Sequence, residues 1–232
     1  MPKKPFELAL SDRTIALDVA RKRVKYCTIR IRRDGSVAVS VPLSMKEARW
    51  QAFVEEKKPW IEKSLARTPQ RKEYQYTEGE IHYLLGRKVT LHAAKGAENQ
   101  CRITDDEVWL TYRRENTDRQ KIFAACWAEE LEQVLAILIR TWAPRMDVWP
   151  SGFGINRTKS RWGSCNIRTG ELKFSIELAA KPVACIESVV VHELNHLLEP
   201  THNVRFHRLM DHWLPDWKER KKKLNTFPRE FI

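Results

Sequence analysis

The sequence has no Cys-x-x-Cys pair, although it contains five cysteines, at positions 27, 101, 126, 165 and 185. Closely spaced cysteine pairs are typical of cysteine-held zinc sites, and an even number is typical of disulfide-stapled secreted domains. The odd number and wide spacing argue against both classes. We therefore expect reduced thiols and a cytoplasmic protein.

Long apolar runs are also missing. Charged residues interrupt every hydrophobic stretch well short of the about 20 residues that a membrane-spanning helix needs. No apolar segment typical of a signal peptide follows the initial Met-Pro-Lys-Lys-Pro. Low-complexity segments and internal repeats are not visible. We expect a soluble protein with no membrane partner.

Acidic residues are in deficit, because 42 Lys and Arg stand against 30 Asp and Glu, which gives a formal net charge of +12. Basic runs occur at Arg21–Arg23, Arg113–Arg114 and Lys218–Lys223. Such an excess favours acidic partners, including nucleic acid. No DNA-reading motif is present, so the binding expected is non-specific and salt-sensitive. The alternative is a dispersed basic surface that only keeps the protein soluble.

The pattern of apolar residues predicts an α+β fold in two regions. Residues 1–115 form a β-rich N-terminal region, with a hairpin over 27–41, a helical segment and further strands over 80–112. Residues 116–232 begin with a long helix that Pro144 ends, followed by a hairpin over 154–178 and further helices. We expect the first region to pack on the second.

The run His192-Glu193-Leu194-Asn195-His196, followed by His202, predicts a zinc site. Two histidines four residues apart on a helix project from one face. A catalytic zinc uses three protein ligands and an open position for water. Glu193 lies beside the first ligand, where a carboxylate can take a proton from that water. We predict Zn²⁺ as the cofactor, His192, His196 and His202 as ligands, and Glu193 as the catalytic residue.

The surrounding residues predict a helix over 182–198. Pro182 suits a first helical turn, and apolar residues then recur at helical spacing. Pro200 disfavours helix at Glu199, so the chain can turn and bring His202 back toward the pair. The alternative is a buried core helix in which both histidines make ordinary hydrogen bonds.

Four motifs carry a family resemblance: Arg161-Trp162-Gly163-Ser164-Cys165, His192-Glu193-Leu194-Asn195-His196, His202 with Phe206, and Leu214-Pro215-Asp216-Trp217-Lys218. Together they resemble the YgjP-like metallopeptidases, zincins related in outline to the SprT-like proteases, over most of the chain. The resemblance implies a zincin-type catalytic region over 116–232, zinc held by the three histidines, and Glu193 as the base. The sequence departs from the family at His207, where an aromatic residue usually follows the phenylalanine.

Three residues are candidates for substrate binding: Trp162, Gly163 and His207. In zincins a sheet edge near the metal commonly holds an extended peptide, and Gly163 would let another backbone approach. A bulged structural strand with Trp162 in the core is the alternative. His207 would polarise the substrate carbonyl or support the zinc ligands, unless it is a partly buried helix histidine.

The expected function is that of a zinc-dependent metallopeptidase that hydrolyses peptide bonds in a peptide or protein substrate through a metal-activated water. One alternative is a nucleic-acid-associated protein with a structural or vestigial zinc site. Another is a zinc hydrolase that acts on a non-peptide bond. Glu193 favours an enzyme, because a structural site prefers four closed protein ligands and needs no carboxylate at this position.

Overall fold

Eleven strands and six α-helices make up the part of the chain that the computed structural model describes, which is residues 6–32, 35–67, 74–158 and 161–228. The strands are β1 (Phe6–Ala9), β2 (Thr14–Lys22), β3 (Thr28–Ile31), β4 (Val37–Pro42), β5 (Ile81–Leu84), β6 (Arg87–Lys95), β7 (Gln100–Thr104), β8 (Glu107–Tyr112), β9 (Gly152–Asn156), β10 (Gly163–Asn166) and β11 (Glu171–Ser175). The helices are α1 (Glu47–Glu56), α2 (Lys58–Arg67), α3 (Arg119–Arg145), α4 (Val183–Asn195), α5 (Val204–Trp213) and α6 (Trp217–Thr226). The predicted α+β fold is confirmed.

The chain divides into two compact units, residues 1–71 and 72–232. The first unit contains a sheet of order β1-β2-β4-β3 together with α1 and α2. The predicted hairpin over 27–41 is the antiparallel pair β3–β4, in which Ile29 lies opposite Val39. The apolar residues of this unit form a core cluster of their own, centred on Leu17, Val39 and Trp50.

The second unit contains the other two sheets, of order β5-β6-β8-β7 and β10-β11-β9. The inward residues of the first of these, such as Leu91 and Leu110, belong to the same core cluster as Phe123 and Trp127 of α3. The sequence placed the boundary between residues 115 and 116, whereas the compact division lies between 71 and 72. The difference arises because the strands over 81–112 bury their apolar face against α3.

The two four-stranded sheets share one topology that the sequence does not reveal. In each sheet, two antiparallel outer pairs flank a central parallel pair. The parallel pair is β2–β4 in the first sheet and β6–β8 in the second. The outer pairs are β1–β2 and β3–β4 in one sheet, and β5–β6 and β7–β8 in the other. A repeat therefore exists in the hydrogen bonding although none is visible in the residues.

The predicted hairpin over 154–178 is correct in its second half only. β10 and β11 are antiparallel and joined by a turn with Gly170 at φ +74°. The expected first strand is instead two strands, and β9 pairs with β11 in parallel. Because β11 is central, β10 lies at the edge of this sheet, where it packs against α4.

Helix α4 is the central element of the second unit. Buried residues occupy almost all of its circumference, among them Ile186, Val190 and Leu194. It begins after Pro182 and ends at Asn195, with His196 still in helical conformation as the C-cap. Among the described residues, no helix is long and apolar enough to cross a membrane.

Candidate metal centre

Three histidine side chains meet at the C-terminal end of α4. The possible ligand atoms of His192, His196 and His202 all lie within 4.8 Å of one another. The Nε2 atoms of His192 and His202 are 3.0 Å apart. In the described part of the chain, no other group of three or more His, Cys, Asp or Glu side chains is so arranged.

The turn between α4 and α5 carries His202 back to the helix. The carboxylate of Glu199 accepts hydrogen bonds from the backbone N–H of Thr201 at 3.4 Å and from its hydroxyl at 3.1 Å. Asn203 then caps α5, because its side-chain oxygen accepts from the N–H of Phe206 at 3.0 Å. These bonds fix the backbone on both sides of His202, and they occupy Glu199 as a turn-forming side chain.

Phe206 forms the floor of the histidine cluster. Its ring centroid lies 4.9 Å from that of His192 and 4.8 Å from those of His196 and His202. The side chain is 1% exposed, and its backbone carbonyl accepts a hydrogen bond from the buried amide of Asn195 at 3.1 Å. The aromatic floor therefore holds all three imidazoles in place and shields one side of the site from water.

The three histidines are held in their neutral form. Burial, followed by the proximity of His196 and His202, lowers the pKa of His192 to about 3. Burial also lowers the pKa of His196 and of His202. Nδ1 of His196 donates to the carbonyl oxygen of Glu199 at 3.3 Å, which leaves Nε2 free as a ligand atom. Neutral imidazole is the form that binds metal.

Glu193 is a buried carboxyl group beside this cluster. It is 5% exposed, and burial raises its pKa to about 8, although the positive charge of Arg161 acts in the opposite direction. A cation bound nearby favours the charged carboxylate and lowers such a pKa. A carboxyl group that titrates near neutral pH is suited to proton transfer.

Gly163 allows β10 to approach Glu193 closely. A Cβ atom on Gly163 would lie 2.6 Å from Oε1 and 2.8 Å from Cγ of Glu193. The sequence predicted that this glycine admits another backbone, and the close neighbour in the structure is the glutamate side chain. The position requires glycine whether or not a peptide binds along the strand.

Trp162 lies in the core next to the site. It is 8% exposed, and its indole N–H donates to Oδ1 of Asn225 at 3.2 Å. The fully buried ammonium group of Lys181 lies 5.2 Å from its ring centroid. This placement matches the structural alternative, and it leaves little of the side chain for a substrate to contact.

His207 lies beside the triad and not within it. It is exposed, and its ring stacks on Trp217 with centroids 5.7 Å apart and planes at 10°. The ammonium group of Lys221 lies 5.6 Å from the same indole. Lys221 and His207 both contribute to the lowered pKa of His192 and of His202. His207 therefore stands at the rim of the site, where a substrate could reach it.

The donor set fits a zinc ion. Three neutral imidazoles are preferred ligands of Zn²⁺ and are accepted by other transition metals. Two nitrogen atoms that each lie about 2.0–2.1 Å from a tetrahedral zinc ion are about 3.4 Å apart. The Nε2 atoms of His192 and His202 are 3.0 Å apart, which is close to that separation. Three protein ligands leave one position for a reacting molecule, as a catalytic site requires.

The family model of the YgjP-like metallopeptidase domain matches residues 25–227. The chain belongs to the YgjP-like metallopeptidases. The match includes most of the first compact unit and nearly all of the second. None of the curated proteins matches the chain. The chain is thus a member of a metallopeptidase family, and the histidine triad of this chain can bind a metal ion.

Two contributors to this YgjP-like site were not assigned from the sequence. Phe206 was noted only as part of the motif with His202, although its position four residues after that histidine was a usable signal. Lys221 gave no signal, because it acts on the histidines only through the packing of α6 against α4. Such proximity between separate helices is invisible in a single sequence.

Proposed function

We propose that the chain is a zinc-dependent peptidase in which His192, His196 and His202 hold the metal and Glu193 transfers the proton. The observation that carries the proposal is the buried carboxyl group of Glu193 next in sequence to a triad of neutral imidazoles whose possible ligand atoms lie within 4.8 Å of one another. The membership in a metallopeptidase family supports peptide or protein as the substrate. The five free cysteines support a reducing compartment such as the cytoplasm.

A bound zinc ion supplies a Lewis acid that polarises a carbonyl group and lowers the pKa of water. Glu193 accepts the proton of the attacking water and then delivers it to the amine that leaves. Its burial keeps bulk water from competing for that proton, and Phe206 holds the ligand imidazoles in a fixed orientation. His207, whose ring centroid lies 5.8 Å from that of Phe206, would donate a hydrogen bond to a substrate carbonyl.

The edge strand β10 is the proposed docking site for the substrate backbone. It lies at the outside of its sheet and packs on α4, the helix that carries Glu193. An extended peptide can add to such an edge through main-chain hydrogen bonds. Gly163 starts this strand and contacts Glu193, which would bring a paired peptide close to the proton-transfer group.

Nucleic-acid binding stays a prediction that only the charge of the chain supports. Hydrolysis of a non-peptide bond stays a formal alternative that the donor set permits. The carboxyl group of Glu193 argues against a structural zinc, because such a site has no use for a buried, proton-exchanging acid beside its ligands.

Glu193→Gln separates proton transfer from metal binding. The variant should retain about one zinc per chain and its fold, yet lose hydrolysis of a casein or peptide-library substrate by about a hundredfold or more. His192→Ala should lose the zinc and the activity together. Metal analysis, thermal melting and peptide cleavage are measured on each variant.

Glu199→Gln is the matched control, since its amide oxygen can still accept the hydrogen bonds of Thr201. It should retain most of the zinc and activity. Full activity in Glu193→Gln would overturn the assigned base. If Glu193→Gln and His192→Ala lost equal amounts of zinc, the glutamate would be needed for metal binding and its role in proton transfer would be unsupported.

A further inference from the structure

Two cysteines lie together in a cavity formed by elements other than those of the histidine site. Cys101 is on β7 and Cys126 is on α3, and both line a cavity of about 580 Å³. Both side chains are half-buried, so solvent solutes can reach them. The peptidase mechanism uses neither residue, and nothing in their spacing of 25 positions predicts that they meet.

The two sulfur groups interact directly and have different properties. The thiol of Cys101 donates a hydrogen bond to the sulfur of Cys126 and thereby lowers the pKa of Cys126, against the opposing effects of burial, Glu130 and Glu129. The same hydrogen bond, together with burial, raises the pKa of Cys101. Of the two, Cys126 is thus the thiol that loses its proton more readily, and Cys101 is its hydrogen-bonded neighbour.

The other three cysteines are different. Burial raises the pKa of Cys27 and of Cys185, and it raises that of Cys165 to about 11. Since the thiolate is the reactive form of cysteine, these three are poor nucleophiles at neutral pH. Among all five cysteines, only Cys126 combines a stabilised thiolate, a neighbouring thiol and access through a cavity.

We propose that Cys101 and Cys126 form a redox-active dithiol, which a small hydroperoxide entering this cavity converts to a disulfide.

Cys126 attacks one peroxide oxygen, the O–O bond breaks, and hydroxide leaves and is protonated to water. The sulfur of Cys126 is then a sulfenic acid. Cys101 attacks that sulfur, the S–S bond forms, the S–O bond breaks, and the hydroxyl group leaves as water with the thiol proton. One hydrogen peroxide takes two electrons from the two thiols and gives two waters.

The packing of β7 on α3 brings the two thiols within hydrogen-bonding reach of each other, which is where a disulfide between these elements would form. β7 is the edge strand of its sheet, in the order β5-β6-β8-β7. The disulfide would therefore join the free edge of that sheet to the helix that also packs against α4. A dithiol such as dithiothreitol reverses the reaction by thiol–disulfide exchange.

The test treats the full-length reduced protein with one equivalent of hydrogen peroxide. We expect the loss of two of its five free thiols and of the mass of two hydrogen atoms, and a digest should contain one cross-linked peptide that joins Cys101 to Cys126. Dithiothreitol should restore both thiols. The same result is expected for Glu193→Gln, so the outcome does not depend on the peptidase activity.

Single variants assign the roles. In Cys101→Ser the sulfenic acid cannot be resolved, so a cyclic-diketone probe should label Cys126. Cys126→Ser should react with peroxide no faster than denatured protein, whereas the control Cys27→Ser should form the disulfide as the unmodified chain does. Melting curves check that each variant is folded. The proposal would be overturned if Cys27 or Cys165 were oxidised before Cys126. It would also be overturned if the unmodified chain lost thiols without forming the cross-linked peptide.

Discussion

At the scale of single residues, Gly163 controls the position of the group that transfers the proton. A Cβ atom there would lie 2.6 Å from Oε1 of Glu193. Gly163→Ala should therefore displace the carboxyl group and reduce kcat by about tenfold to a hundredfold, within the range that general-base help supplies. Overpacking should also cost about 1–3 kcal/mol in the free energy of unfolding. Kinetics and chemical denaturation measure the two effects.

Gly154→Ala is the matched control on β9 of the same sheet. Its added Cβ would have no neighbour within 4 Å, and its backbone does not have positive φ. It should leave kcat, zinc content and stability almost unchanged. An undiminished kcat in Gly163→Ala would show that the carboxyl group tolerates displacement, and the proposed proton transfer would then need another geometry.

The burial of Glu193 also predicts a pH dependence of stability in the metal-free protein. The folded-state pKa of Glu193, about 8, lies above the ordinary value of 4.5 for a glutamate side chain. A raised pKa of an acid gives a stability contribution that is fully present below pH 4.5 and is lost as pH rises through 8. Between pH 5 and pH 9, the unmodified chain should therefore lose on the order of a few kcal/mol relative to Glu193→Gln.

Urea denaturation of both proteins in the presence of a chelator measures this difference. The lowered pKa of His192 favours stability at higher pH, but it acts in both proteins and cancels in the comparison. Parallel stability curves for the two proteins from pH 5 to pH 9 would contradict a buried, raised carboxyl group.

At the scale of elements, α6 places positive charge beside the ligand histidines. Lys221 contributes to the lowered pKa of His192 and His202. The same charge opposes a divalent cation at those nitrogens. Lys221→Gln should therefore bind zinc more tightly, by about twofold to tenfold at low salt, because an exposed charge is partly screened. Competition with a chromophoric chelator gives the dissociation constant.

Lys222→Gln is the control for this effect, since Lys222 is exposed on the same helix and does not contribute to the pKa of the histidines. The gain in affinity of Lys221→Gln should shrink in high salt. Identical affinities of the two variants would mean that only the net charge of the chain matters.

Local chemistry made some elements predictable. The start of α4 follows from Pro182, and Asn203 caps α5 as its residue type predicts. The strand β2 was missed, since only Leu17 of its nine residues is buried and its alternation is weak. The split between β9 and β10 was missed because the parallel pairing of β9 with β11 depends on distant chain segments.

At the scale of the whole molecule, the two core clusters predict that the second unit folds without the first. The cluster around α3 and α4 contains none of the residues of the first unit. A chain of residues 72–232 should therefore unfold in one cooperative transition and bind about one zinc. Circular dichroism and metal analysis test this, with the same fragment carrying His192→Ala as the control. A fragment without a folding transition would show that the first unit is part of the catalytic fold.

The candidate site was more predictable than the architecture around it. The three histidines come together because of their spacing along a helix, a turn and a helix cap. The sequence alone could therefore predict that His192, His196 and His202 lie close to one another. The neighbours of the site come from α6 and from β10, and their contacts depend on tertiary packing. For that reason the sequence did not reveal that Glu193 is the close neighbour of Gly163, and Lys221 was not assigned at all.

The order of the elements along the chain has a consequence for biosynthesis. The first sheet pairs strands only within residues 6–42, so it can form while the ribosome is still translating the rest of the protein. The three histidines span residues 192–202, so they leave the ribosomal tunnel only after all the residues of the first sheet. A nascent chain therefore has no complete metal site. The candidate metal site is thus completed after the first sheet, and any activity that it supports can begin only once residue 202 has emerged.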